Sequence, residues 1–198
     1  MSLPHTRYAV PTYYVVATAE ASSNLARYDG VRYGIREPGD GSLRGMMAAT
    51  RSTGFGDEVK RRILLGTYVL SGGYHEAWYG RALRVRGLLA RDFARAFEEV
   101  DLICGPTSPA PAFPLGERLD DPLSMYLSDV LTAPASLAGL PALSVPCGFV
   151  EEKSRLPVGL QIVGPRLSDA RVLAAARVYQ RSTEHHLARP PFSAGGAA

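Results

Sequence analysis

The sequence has few of the features that mark secreted, membrane or disulfide-stapled proteins. Its 198 residues include two cysteines, Cys104 and Cys147, and each lies in an apolar run, which favours two buried free thiols. No apolar run approaches the roughly 20 residues that a membrane helix needs. Residues 1–10 are polar and lack the apolar core of a signal peptide. From these absences we expect a cytoplasmic protein.

Self-contained catalytic signatures are also missing from the sequence. There is no G-x-S-x-G elbow, no P-loop, no H-E-x-x-H and no paired C-x-x-C motif. Of the four histidines, His185 and His186 form a weak metal-like pair, and His75 favours a surface role. No two carboxylates stand out as a general acid and base. The residues alone therefore predict no catalytic residue and no metal site in this chain.

The composition is that of a globular protein. Hydrophobic residues make up 46% and charged residues 21% of the chain, which suits one medium domain or a large piece of a bigger one. The net charge of +3 is weak evidence for nucleic-acid binding. We expect one incomplete domain over residues 1–184, followed by a Pro- and Gly-rich, frayed tail over residues 185–198.

Helical and strand patterns alternate along the chain. The predicted helices show apolar positions at helical spacing and cover residues 57–70, 76–100, 122–131 and 169–180. The predicted strands are short and apolar, at residues 11–18, 101–105, 143–147 and 157–164. Asp121 and Ser168 are predicted helix N-caps. This interleaving predicts an α/β fold with a mixed β-sheet flanked by helices.

Four segments carry more information than a fold class. They are EASSNLARYDGVRYG (20–34), GFGDEVKRRILLGTYVLSGGY (54–74), DDPLSMYLSDVLTAPASLAGLPALSVPCG (120–148) and PVGLQIVG (157–164). Together they resemble the amidase-signature family, and the first three resemble its branch of glutamyl- and aspartyl-tRNA amidotransferase A subunits. The resemblance covers residues 4–180. It implies the C-terminal part of the amidase-signature fold, within an enzyme that hydrolyses glutamine to supply ammonia for converting Glu-tRNA(Gln) to Gln-tRNA(Gln).

The resemblance also implies where the chemistry lies. Family members break the amide with a Ser–cis-Ser–Lys triad, and their Gly/Ser-rich loop and lysine lie upstream of the segment that matches here. Ser22 and Ser23 form a serine pair without a glycine loop, so no triad residue is assigned. The resemblance thus implies that this chain alone is inactive and holds no cofactor, with ATP and Mg²⁺ used at a partner subunit. The implied partners are glutamine, the B and C subunits and, indirectly, tRNA, with no membrane.

Three residues match family positions that hold the substrate. Arg62 matches the position that binds the α-carboxylate of glutamine, since a guanidinium can bind a carboxylate through two hydrogen bonds. Asp129 matches the position that receives the α-ammonium, and Tyr13 matches a position beside the bound glutamine. A simpler interpretation is that Glu58 and Arg62 pair with each other at i,i+4 spacing, and that Asp129 faces solvent.

Two other functions fit parts of the pattern. A different amidase-signature hydrolase of small amides would also contain PVGLQIVG. A non-catalytic chain that binds partners would explain the missing triad, and a piece of an open sheet would then expose strand edges and an apolar face.

Overall fold

The computed structural model describes residues 1–117, 122–151 and 155–190. The chain divides into two compact units. Unit 1 comprises Met1–Val10 and Leu89–Ala198, and unit 2 comprises Pro11–Leu88.

Unit 2 is built from helices. Its helices are α2 (Leu43–Gly54), α3 (Asp57–Leu70), nearly all of α1 (Ala9–Asn24) and the first half of α4 (Arg81–Ala96), with a π-helical turn at His75–Gly80 before α4. From Leu89 onward α4 belongs to unit 1. The hydroxyl of Ser42 caps α2 by accepting the backbone N–H of Gly45. Helix α3 begins after Gly56 with Asp57 and Glu58 in its first turn, where acidic side chains complement the helix dipole.

The strand predicted at residues 11–18 is wrong, because this segment lies within helix α1. Thr12, Val16 and Ala19 are buried and fall on one helical face at i, i+4 and i+7. Pro11 lies within the first four residues of α1, where no intrahelical N–H bond is lost. The β-branched composition favoured a strand, and burial of this face outweighed that weak preference.

Unit 1 contains a three-stranded sheet with helices around it. Its elements are β1 (Ile103–Pro106), α5 (Pro122–Leu127), α6 (Ala133–Ala138), β2 (Ala142–Glu151), β3 (Arg155–Val163) and α7 (Asp169–Ser182). The strand order is β1-β3-β2, and both pairings are antiparallel. The register of β2 against β3 shifts between Pro146 and Gly148, as at a β-bulge.

The core of unit 1 lies between helix α7 and the sheet. Val145 and Ile162 of the sheet pack with Val172 and Ala176 of α7 in one buried cluster. Leu173, predicted to face inward, is 63% exposed because it lies about 100° around the helix from Val172.

The α/β class is confirmed, with differences at several element ends. The helix predicted over residues 76–100 begins as the π-helical turn and ends at Ala96, and the one over residues 122–131 ends at Leu127. Helices α2 and α6 were not predicted. The Ser168 hydroxyl donates to the Pro165 carbonyl at 2.6 Å instead of capping α7. The predicted cap Asp121 lies outside the described residues.

Three smaller expectations concern the cysteines, the tail and the membrane. Both cysteines are free, but Cys104 is exposed rather than buried. His185–Leu187, predicted to begin a frayed tail, form a 3-10 turn, and residues 191–198 lie outside the described residues. Across the parts of the chain that the structure describes, no helix has the length and apolar character needed to cross a membrane.

Candidate functional site

Arg62 lies one turn into helix α3 and is held by Glu58. Its Nε donates to Glu58 Oε1 at 2.9 Å, across the i,i+4 spacing of the helix. Arg61 forms a second ion pair with the other carboxylate oxygen of Glu58. The pairing expected from the spacing alone is therefore confirmed, and Glu58 is shared between two arginines.

Two tyrosines of α1 complete the surroundings of Arg62. Its guanidinium carbon lies 5.9 Å from the centroid of the Tyr14 ring, within the range of a cation–π contact. Tyr13 and Tyr14 meet edge to face, with centroids 5.1 Å apart. The hydrogen bond to Glu58 raises the pKa of Arg62, and the charge of Glu58 and the phenols of Tyr13 and Tyr14 raise it further. The structure thus places Tyr14 against Arg62, whose guanidinium stays charged, and Tyr13 against Tyr14.

A glycine sets the distance between the helices that carry these residues. Gly66 of α3 is buried against α1, and a Cβ placed there would overlap the carbonyl oxygen of Thr18 and approach Ser22. Thr18 is itself buried, and its hydroxyl donates to the Tyr14 carbonyl at 2.6 Å. The close contact of α1 with α3 at Gly66 therefore holds the tyrosines next to Arg62.

Asp129 lies in the turn between α5 and α6, in unit 1. Its backbone carbonyl accepts the N–H groups of Thr132 and Ala133 at 3.1 and 2.9 Å, and its own N–H donates to the Tyr126 carbonyl at 3.3 Å. Its side chain is exposed. The backbone of Asp129 is thus fixed by the turn, while its carboxylate faces solvent, as the simpler interpretation expected.

The residues just before Asp129 border a cavity of unit 1. This cavity has a volume of about 640 Å³, and Leu127 and Ser128 line it together with residues 106–113 and parts of β2 and β3. Among the residues that the structure describes, none that lines this cavity is charged. The proline-rich segment at residues 106–113 therefore forms part of the cavity wall.

A pair of hydroxyls on this wall was not predicted. The oxygens Thr107 Oγ1 and Ser144 Oγ lie 2.6 Å apart, and a Cβ at Gly159 would lie 2.8 Å from Thr107 Oγ1. Glycine in a strand marks a close approach of neighbouring groups. Gly159 in the PVGLQIVG segment was thus the sequence signal for this pair.

Sequence reasoning also missed a buried carboxylate in unit 1. The His5 backbone N–H donates to Asp92 Oδ2 at 2.9 Å, and the His5 ring Nδ1 lies 2.9 Å from both carboxylate oxygens. Burial alone would raise the pKa of Asp92, but the hydrogen bonds from His5 outweigh it, so its pKa is lowered. These contacts tie Asp92 to His5 in the folded chain.

Other candidate groups are placed as follows. Ser22 lies in helix α1 and donates to the Ala19 carbonyl at 2.9 Å. His75 is exposed and lies 3.3 Å from Glu76 Oε1. Within residues 1–117, 122–151 and 155–190, no three His, Cys, Asp or Glu side chains are grouped as metal ligands would be.

A Ser–Ser–Lys triad uses a lysine as its base. The chain contains two, Lys60 and Lys153. Lys60 lies on α3 and pairs with Asp57 at 3.6 Å, and Lys153 lies outside the described residues.

Comparison with known proteins gives consistent matches. The model of the amidase family matches residues 1–173. The A subunit of the glutamyl-tRNA(Gln) amidotransferase of Thermodesulfovibrio yellowstonii is 58% identical over 190 residues, covering 96% of this chain and 39% of that protein. Its counterpart in Moorella thermoacetica is 60% identical over 189 residues, covering 96% of this chain and 38% of that protein.

A solved structure shows the same similarity. The crystal structure of the glutamyl-tRNA(Gln) amidotransferase A subunit of Thermotoga maritima superposes with a TM-score of 0.64 at 40% identity, covering 93% of this chain and 34% of that chain. The chain thus spans about two fifths of the length of the curated relatives it matches.

Proposed function

The chain belongs to the amidase family, and we propose that it is the C-terminal, glutamine-binding part of the A subunit of a tRNA-dependent amidotransferase. The observation that carries this proposal is its similarity, along nearly its whole length, to two amidotransferase A subunits. The geometry around Arg62 supports a carboxylate-binding role, because a charged guanidinium is held by Glu58 beside the Tyr14 ring.

In this proposal Arg62 and Asp129 bind the two charged ends of glutamine. Arg62 of unit 2 binds the α-carboxylate, which suits the planar donor set of a guanidinium. Asp129 of unit 1 binds the α-ammonium, and its exposed carboxylate is available for an ion pair. Tyr13 lies beside the bound amino acid.

The groups that break the amide are proposed to lie outside these 198 residues. The reaction consumes glutamine and water and yields glutamate and ammonia, which then converts Glu-tRNA(Gln) to Gln-tRNA(Gln). That second step takes place at the B subunit, with ATP and Mg²⁺, while the C subunit completes the complex.

The first test measures glutaminase activity of the purified 198-residue chain. The expected result is no glutamate above the uncatalysed background, because no Ser–Ser–Lys triad is assigned here. Turnover that is lost in Arg62→Ala would show that the machinery lies within this chain.

The second test uses the complete A subunit, assembled with its partners, and the substitution Arg62→Ala. Loss of a charged hydrogen bond costs roughly 1.5–3 kcal/mol, so the KM for glutamine is expected to rise about tenfold or more. The control substrate is 4-aminobutanamide, which is glutamine without its carboxylate, and its KM should stay unchanged. An unchanged KM for glutamine would refute the role of Arg62.

A further inference from the structure

Arg62 has one edge of its guanidinium already occupied. Its Nε donates to Glu58 Oε1 at 2.9 Å, and within the described residues Glu58 is its only hydrogen-bond partner. The Tyr14 ring lies against the same group, 5.9 Å from the guanidinium carbon. A guanidinium can bind a carboxylate through Nε and one Nη or through its two Nη atoms. Contact with Glu58 leaves the second mode open.

We propose that Glu58 is a positioning residue, which holds Arg62 so that its two Nη atoms meet the carboxylate of the amino-acid substrate. This inference rests on the proposed function, because it assumes that Arg62 binds that carboxylate. Glu58 acts through Arg62 and does not itself touch the substrate.

The charges on this part of α3 favour positioning over neutralisation. Glu58 accepts from both Arg61 and Arg62, so one negative charge is shared by two positive ones. The group of three side chains therefore keeps a net charge of +1, which still attracts an anion. Asp57 pairs with Lys60 and adds no net charge.

The position of Glu58 in the helix lets this contact form at little cost in free energy. It lies in the first turn of α3, where a carboxylate interacts favourably with the helix dipole. The pairing spans one helical turn and forms within a single element. The direction of Arg62 is thus fixed before a ligand arrives, which lowers the entropy lost on binding.

The experiment compares Glu58→Ala and Glu58→Gln in the complete A subunit, with Asp57→Asn as the matched control on the same helical turn. For Glu58→Ala we expect the KM for glutamine to rise about threefold to tenfold with kcat within about twofold. Glu58→Gln keeps an oxygen that accepts from Nε, so its increase should be smaller. Asp57→Asn should behave as the unsubstituted protein, and the KM for 4-aminobutanamide should not change in any variant.

A double-mutant cycle then separates the positioning role of Glu58 from the carboxylate-binding role of Arg62. If Glu58 acts through Arg62, adding Glu58→Ala to Arg62→Ala should raise the KM no further. An Arg62→Ala variant with an unchanged KM for glutamine would overturn the proposed function itself. A raised KM in Arg62→Ala, with no change in Glu58→Ala, would overturn only the positioning role. An equal rise for both substrates in Glu58→Ala would also overturn it, because it would indicate a general disturbance of the helix.

A spectroscopic measurement covers the case in which Glu58→Ala folds poorly. The NεH proton of Arg62 should exchange slowly with water in the NMR spectrum of the unsubstituted protein and of Glu58→Gln. Fast exchange of this proton in the unsubstituted protein would refute the fixed contact.

Discussion

The two regions proposed to bind glutamine are organised in opposite ways. In the Arg62 region of unit 2, a charged side chain is fixed by other side chains, through an ion pair with Glu58 and contact with Tyr14. In the Asp129 region of unit 1, the backbone is fixed by the turn and the carboxylate is exposed. One region thus sets the direction of its charge in advance, and the other sets only its location.

This difference determines what each region is sensitive to. Substitutions of neighbouring side chains should disturb the Arg62 region, because its geometry depends on them. The Asp129 region should tolerate such changes and respond to replacement of its own carboxylate.

The largest effect is expected from Gly66→Ala, which acts on the Arg62 region. The new Cβ would overlap the Thr18 carbonyl oxygen, and a backbone atom cannot move aside as a flexible side chain can. Overpacking of this kind costs about 1–3 kcal/mol of unfolding free energy, which urea denaturation would measure.

The control for this substitution is Gly87→Ala in helix α4. No atom lies within 4 Å of a Cβ built at Gly87, so alanine there should leave stability unchanged or raise it by up to about 1 kcal/mol. Equal destabilisation by the two substitutions would show that the contact between α1 and α3 is not tight at Gly66.

The next effect is expected from Asp129→Asn, measured in the complete A subunit. The KM for glutamine should rise about tenfold, because a charged hydrogen bond to the ammonium is lost. The substrate 4-carbamoylbutanoate, which is glutamine without its ammonium, should show no change. Urea unfolding should shift by less than about 0.5 kcal/mol, since an exposed side chain is replaced and the carbonyl that holds the turn is kept.

The opposite response to Arg62→Ala completes the comparison. That variant should impair 4-carbamoylbutanoate and spare 4-aminobutanamide, the reverse of what Asp129→Asn does. If both substitutions impaired both analogues alike, the assignment of one charge to each region would be wrong.

A smaller effect is expected on acidification, and it belongs to unit 1. The pKa of Asp92 is lowered from its ordinary value of 3.8, so its ionised form stabilises the fold above that value and the contribution is lost as pH falls through the lowered pKa. Below about pH 4, stability should therefore fall more steeply in the unsubstituted protein than in Asp92→Asn.

The variant His5→Ala gives an intermediate case, because it removes the ring and keeps the backbone N–H that donates to Asp92. Arg62 does not titrate in this range, since its pKa is raised above its already strongly basic ordinary value. Identical acid dependence in all three proteins would show that Asp92 is not tied to His5.

The smallest effect is expected on stability when Glu58 is replaced by Gln. Arg62 and Glu58 are 37% and 42% exposed in their side chains, and such i,i+4 pairs contribute only about 0.3–0.5 kcal/mol. A loss above 1 kcal/mol in urea unfolding would show that Glu58 maintains the fold rather than the direction of Arg62.

The sequence predicted most elements whose pattern is local. Helix α3 was found from its acidic first turn and apolar spacing, and β3 from PVGLQIVG with its short apolar run. The pairing of Glu58 with Arg62 also followed from spacing alone. Helix α1 was missed because its β-branched residues favour strands locally, while the burial of Thr12, Val16 and Ala19 depends on residues distant in the chain.

In the candidate site, too, residues within motifs were predicted, and contacts between distant residues were missed. Arg62, Asp129 and Tyr13 were named from motif resemblance, and the structure places Tyr14 against Arg62 and Tyr13 edge to face with Tyr14. The roles of all three in binding glutamine stay predictions. The hydroxyl pair of Thr107 and Ser144 and the burial of Asp92 by His5 were missed, because each joins residues more than 30 positions apart.

The sequence by itself determined the family, the order of most helices and strands, and the i,i+4 partner of Arg62. These depend on motifs and on interactions within one helical turn, which spacing along the chain encodes directly. The tertiary structure alone decided that residues 11–18 are helical, that Gly66 brings α1 against α3, and that the proline-rich segment lines a cavity. Such features depend on which surfaces meet after folding, and burial then outweighs local preferences that are worth only a few tenths of a kcal/mol per residue.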